Sequence, residues 1–261
     1  MYKKVFMKST KCGLVVFCLI MSHNLLLCQF KQIDSLKKIT TLASDDSIKV
    51  DAYIQLANLF NEKYSYLDSA QAYIDQAIFL NTKLQNAHLR IKTLFSLEAM
   101  QKNTGNYEDA LRNIECALDI GIQLKDTSSI VKALCRKSDI KLNLLNLTEV
   151  EKDLKECNRL LGSDTTSSDF VSMCLNYYQM YWEQAAYDSS QYWISRVFER
   201  VKKERDKDLI PIVYINQINV YRANKQHKNA LELAFKLQDF LSEEKDNLDR
   251  KNIFYAYEGL S

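Results

Sequence analysis

Residues 105–120 read GNYEDALRNIECALDI. Ala110, Ile114 and Ala117 follow one another at steps of four and three, which places them on one face of an α-helix. Gly105 and Asn106 supply a turn ahead of it, and Tyr107 stands at the turn's mouth. Stepping forty residues at a time from Ala110 reaches Ala70, Val150, Ser190 and Ala230, all small or short. Four residues on stand Ile74, Ile114, Leu154, Ile194 and Ala234; three further come Ala77, Ala117, Cys157, Val197 and Leu237. Three before the small position are Leu67, Tyr107, Leu147, Tyr187 and His227. One register therefore repeats five times, the signature of a stacked-repeat chain.

The segment upstream keeps the same rhythm. Ile54, Leu94, Leu134, Cys174, Tyr214 and Phe254 share one register, and Phe60, Met100, Ile140, Met180, Val220 and Leu260 share another. Tyr53, Thr93, Ala133, Met173, Val213 and Ile253 complete an apolar stripe on this preceding helix. Each unit thus reads as two antiparallel helices, neither able to cover its own apolar face, so neighbouring units must stack. Composition agrees. Five glycines and one proline in 261 residues exclude a turn-rich sandwich, barrel or propeller, while 47% hydrophobic and 26% charged content excludes a disordered tail. The expected class is an all-α solenoid.

The stretch 105–120 resembles the second helix of a tetratricopeptide repeat, with Tyr107 in the aromatic slot, Ala110 at the close helix contact, and Ile114 and Ala117 on the inner face. The resemblance covers 47–261 as five pairs and a final unpaired helix; its period exceeds the 34 residues of the common repeat. In place of the family's small glycine in the first helix stand Asn58, Glu98, Ser138, Tyr178, Ile218 and Glu258. The opening segment also looks like the start of secreted bacterial proteins of this family. It implies a capping helix at 29–46 carrying Ile33, Leu36, Ile39 and Leu42, with Asp45, Asp46 and Ser47 as N-cap candidates for the next helix.

What the resemblance implies for function is a right-handed superhelix whose concave face, built by the first helix of each pair, holds a protein or peptide partner. Matched position by position, that face offers Gln55 and Leu59, then Lys92 and Ala99, then Lys132, Cys135 and Asp139. It continues through Gln179 and Trp182 to Asn219 and Arg222. Phe95, Leu175 and Ile215 fall there too, as pockets or as packing between helices. Lys132 and Arg136, at i and i+4, resemble half of a carboxylate clamp. The clamp's other half is missing, because Gln55 and Leu59 occupy its positions, and a solvated pair is the preferred reading. Seven aromatic residues between 177 and 193, including Tyr178, Tyr181 and Trp182, are the expected contact patch.

Residues 1–28 read as a signal peptide: Lys3, Lys4, Lys8 and Lys11 precede an apolar run from Cys12 to Cys28 that Ser22, His23 and Asn24 interrupt. Cleavage near Cys28 and Gln29 predicts a periplasmic or secreted protein. An uncleaved segment anchored in the inner membrane and a lipid-modified Cys28 are the alternatives, and 1–28 is the sole expected membrane contact. That segment carries four of the 35 basic residues and no acid, leaving 31 basic against 33 acidic. A basic face for nucleic acid is not expected.

Catalytic constellations are sparse. Three histidines, with no CxxC, HExxH, GxSxG or glycine-rich phosphate loop, argue for no enzyme, no metal and no cofactor. Cys116, Cys135, Cys157 and Cys174 fall at helical positions that suit a small apolar residue, a core role preferred over disulfides. The sequence therefore points to a non-catalytic interaction scaffold. As the alternative, it is the sensor portion of a membrane-tethered regulator cut before its output domain. No feature specifies an oligomeric state.

Overall fold

A computed structural model describes residues 31–62, 66–204, 206, 207, 209–244 and 259. The signal at 1–28 lies outside them, as do Ile253, Phe254 and Leu260 of the expected final helix; Gly259 is helical. Among the described residues the ordered elements are all helices. They are α1 (31–42), α2 (Asp46–Glu62), α3 (Leu67–Leu84), α4 (Ala87–Asn103), α5 (Tyr107–Leu124) and α6 (Thr127–Asn143). There follow α7 (Leu147–Leu161), α8 (Ser168–Glu183), α9 (Tyr187–Glu204), α10 (Ile210–Ala223) and α11 (His227–Glu244). The chain divides into two compact units, 1–105 and 106–261.

In the first unit α2 packs against α3 and α4, and α3 against α4. Helix α1 buries Ile33 and Leu36 with Ala52 and Leu56 of α2, and Ile39 is half-buried against them. The expected stripe ends there, since Leu42, in the last turn of α1, is exposed. Asp45 caps α2 by accepting the Ser47 N–H at 2.7 Å. Between α3 and α4, Gln85 turns the chain in the left-handed region (φ 50°). The Asn81 amide bridges that turn, donating to Asn86 O and accepting the Asn86 N–H, while Asn86 caps α4 through the Leu89 N–H.

In the second unit each helix from α5 to α11 packs on the next, and α6 also touches α8 across α7. The forty-residue rhythm is carried in burial. Across the two units Ala70, Ala110, Val150 and Ser190 are inaccessible and Ala230 nearly so, while Ala77, Ala117, Cys157, Val197 and Leu237 are fully buried. Ala234 departs from it and is half-buried. Ser190 carries a hydroxyl into this dry position and donates it to Tyr178 O at 3.0 Å, as a buried polar group requires. Helices α3, α5, α7, α9 and α11 start at residues 67, 107, 147, 187 and 227, and the turns before the last four use a positive φ at Gly105, Leu145, Ala185 and Lys225. Helix α7 is three residues shorter than α5. Gly162 (φ 58°) closes it, and an Asp164 turn leads to the Ser167 cap of α8.

Three of the four cysteines beyond the signal segment occupy the core. Cys135, Cys157 and Cys174 are buried free thiols. Cys116 is exposed, which corrects its expected core role: it precedes the buried Ala117 and so turns away from the packed stripe of α5.

Candidate partner-binding surface

The first-helix residues predicted for binding fall in both units. On α4, Lys92 is exposed and its Nζ lies 2.6 Å from Asp51 Oδ1 on α2, while Gln55 donates to the other carboxylate oxygen at 2.7 Å. Burial pushes the Asp51 carboxyl up, but these two hydrogen bonds outweigh it and hold the group below the usual range. Lys92 thus works first as a tie between α2 and α4. Phe95 is buried, so it packs between helices instead of opening a pocket.

In the second unit Lys132 is exposed and Arg136 half-buried on α6. Both act on Asp169 in the first turn of α8, whose carboxyl is raised by burial and drawn partly back by these two cations. The half-clamp's charges are thus already felt by an acid of the chain itself. Gln179, Tyr178, Tyr181 and Trp182 are half-buried on α8; on α10 Asn219 is half-buried and Arg222 exposed. Ile215 is buried and Leu175 half-buried.

The aromatic cluster separates into two groups because its members leave α8 at different angles. Tyr177 is buried, stacks on Trp193 of α9 at 4.0 Å between centroids and lies 6.2 Å from Tyr181. Tyr192 meets Trp193 edge-on at 5.2 Å and stands exposed. Tyr178, Trp182 and Tyr187 form the other group, with centroids 6.1 and 5.2 Å apart.

Beside the first group opens a cleft of ≈ 1010 Å³, formed by one face of α9 together with Thr165, Thr166 and Phe170. Its centre is Arg196, whose guanidinium lies 4.8 Å from the Phe170 ring, 5.3 Å from Trp193 and 5.9 Å from Tyr192. A planar cation stacked on rings keeps its N–H donors in the plane, aimed sideways. Among the described residues Arg196 meets rings and no hydrogen-bond acceptor. One turn on, Arg200 donates to Thr166 O at 2.7 Å and holds the α7–α8 loop as a wall of the cleft. Gln191 and Ser195 are engaged with Asn224 and Gln217. Arg196 escapes sequence reasoning based on first helices, since α9 is a second helix. Its i, i+3 and i, i+4 spacing from Trp193 and Tyr192 was the available signal.

No protein-family model and no curated protein matches the chain. Solved structures do. BtubC (BKLC) from P. vanneervenii superposes with a TM-score of 0.69 at 18% identity, over 83% of this chain and 92% of that one. The apo form of RapI gives a TM-score of 0.59 at 12% identity over 86% and 84%. A signal-transduction ATPase with numerous domains and a tetratricopeptide repeat sensor, from Pyrococcus horikoshii, gives 0.66 at 14% over 87% of this chain and 38% of that one. Put beside the buried forty-residue register, these likenesses establish that the chain has the tetratricopeptide-like, all-α solenoid fold.

Proposed function

We propose that this protein is a non-catalytic scaffold that binds a protein or peptide partner outside the cytoplasm, through the first-helix face of α8 and the aromatic patch continuing onto α9. The observation that carries the reading is Arg196, a guanidinium held over three rings in an open cleft with its donors unspent among the described residues. Stacking fixes the side chain before a partner arrives, so less conformational entropy is lost on binding. Tyr192, exposed beside it, is the residue type that anchors interfaces.

The test uses a photo-crosslinking amino acid in place of Tyr192 or Gln179 in the native host, with captured partners then titrated against purified protein. We expect Arg196→Glu and Trp182→Ala each to weaken binding about tenfold or more, the range of an interface anchor, with the helical circular dichroism unchanged. A captured partner whose affinity is indifferent to both would remove these surfaces from consideration. The sensor reading draws on the likeness to the Pyrococcus ATPase, a protein with a tetratricopeptide repeat sensor, of which 38% is covered. Fractionation separates the two: a chain starting near Gln29 free of membrane supports the secreted scaffold, and retention of 1–28 in the membrane supports the tethered sensor.

A further inference from the structure

We propose that Cys135 and Cys157 are a disulfide-forming pair that staples α6 to α7. Their sulfurs lie 3.6 Å apart, in contact, at the centre of the second unit's core. The cysteines sit on neighbouring helices joined by a short turn, and closing the bond brings the sulfurs about 1.5 Å nearer, to the S–S length of about 2.05 Å. The other polar contacts of the two thiols are weak ones to backbone carbonyls, Cys157 to Val131 O and Cys135 to Asp169 O, both at 3.7 Å. Losing them leaves no buried charge exposed to a dry environment. Cys174 belongs to the same core and Cys116 is exposed, but the sulfur–sulfur contact picks out Cys135 with Cys157.

The chemistry is thiol–disulfide exchange with a small-molecule or protein disulfide as oxidant. One cysteine thiolate attacks the donor disulfide, forming a mixed disulfide and releasing one donor thiolate. The second cysteine thiolate then attacks the protein sulfur of that mixed disulfide, forming the Cys135–Cys157 bond and releasing the other donor thiolate. Two protons and two electrons pass in all to the donor, which leaves as two thiols. In the folded chain the hydrogen bond with Cys135, reinforced by burial, pushes the Cys157 thiol well above its ordinary range. Thiolate is scarce there, so the bond forms while the hairpin folds or opens, and afterwards the same burial shields it from reductants.

The consequence is a covalent clasp across 22 positions of chain. Closing a loop of that length raises the thermal midpoint by roughly 5–10 °C for a protein of this size. The test is refolding of the full chain in a glutathione–glutathione disulfide buffer, alkylation of remaining thiols and tryptic mapping. Peptide 133–136 is expected joined to peptide 156–159, parting on reduction, with a midpoint that drops by 5–10 °C. Cys157→Ala is the control, because alanine fills the same register position at Ala77 and Ala117 and is buried there. This variant should fold and show no reductant-dependent shift. Recovery of both cysteines as alkylated free thiols, or a bond from Cys135 to Cys174, would overturn the proposal.

Discussion

At the scale of single residues, the turns between paired helices show a tension the fold tolerates. Leu145, Ala185 and Lys225 adopt φ near 55°, where a Cβ meets the following carbonyl. The equivalent Gly105 at φ 78° has no Cβ to strain. Leu145 is exposed, so its side chain contributes little packing. Leu145→Gly should therefore stabilise the protein by about 1 kcal/mol, read from the urea midpoint; a loss of stability would mean the leucine packs in solution. The opposite test concerns Ile114, fully buried in the quoted stretch. Truncation to alanine there should cost about 2–5 kcal/mol, seen as a lowered urea midpoint. Both effects arise from positions the periodicity already marks, but the sign of the first needs the dihedral angle.

Among elements, the α6–α7 hairpin concentrates the most unusual electrostatics. Lys141 is buried at 6% exposure, with Nζ 2.8 Å from Asp153 and 3.2 Å from Glu149, both on α7. Charged partners in a dry site are costly to separate. Lys141→Ala, which strands Asp153 beside the core, should destabilise by about 2–4 kcal/mol in urea unfolding. Lys141→Met, which fills the volume but also removes the charge, should lose less than alanine; equal losses would assign the whole effect to the ion pair. The hydrogen bond from Lys141, with its charge, holds the Glu149 carboxyl below its usual range. A depressed carboxylate contributes stability above its unfolded pKa and loses it as pH falls through the folded one. The hairpin should accordingly weaken on acidification below about pH 4.5, the ordinary carboxylate range, and Glu149→Gln should flatten that part of the pH–stability curve. Inside the same hairpin Cys135 and Cys157 touch among buried apolar side chains such as Val131, Leu134 and Leu154.

For the molecule as a whole, a chain of helix pairs divided into two compact units need not melt as one. Trp182 and Trp193, the two tryptophans of the chain, both lie in the second unit. Tryptophan fluorescence therefore reports on that unit and far-ultraviolet circular dichroism on every helix. We expect their urea transitions to be displaced from one another, with hydrogen exchange showing separate opening of the units. Coincident transitions would establish a single cooperative block. The architecture was legible in the sequence, because an interval of forty residues recurs wherever a small residue must let two helices approach, and Ala70, Ala110, Val150, Ser190 and Ala230 are the positions that close. Helix starts at Leu67, Tyr107, Leu147, Tyr187 and His227 follow from the same interval. Which side chains face a partner was not legible to the same degree. Phe95 and Ile215 matched groove positions yet are buried, and Lys92, which matched one too, is tied to Asp51. Only the tertiary structure brought Arg196 over Phe170, from the first turn of α8, and Cys135 against Cys157. Periodicity along one helix determines which face is dry, since that depends on spacing alone. What meets across two helices depends on how loops of unequal length set their offset, and no local pattern carries that information.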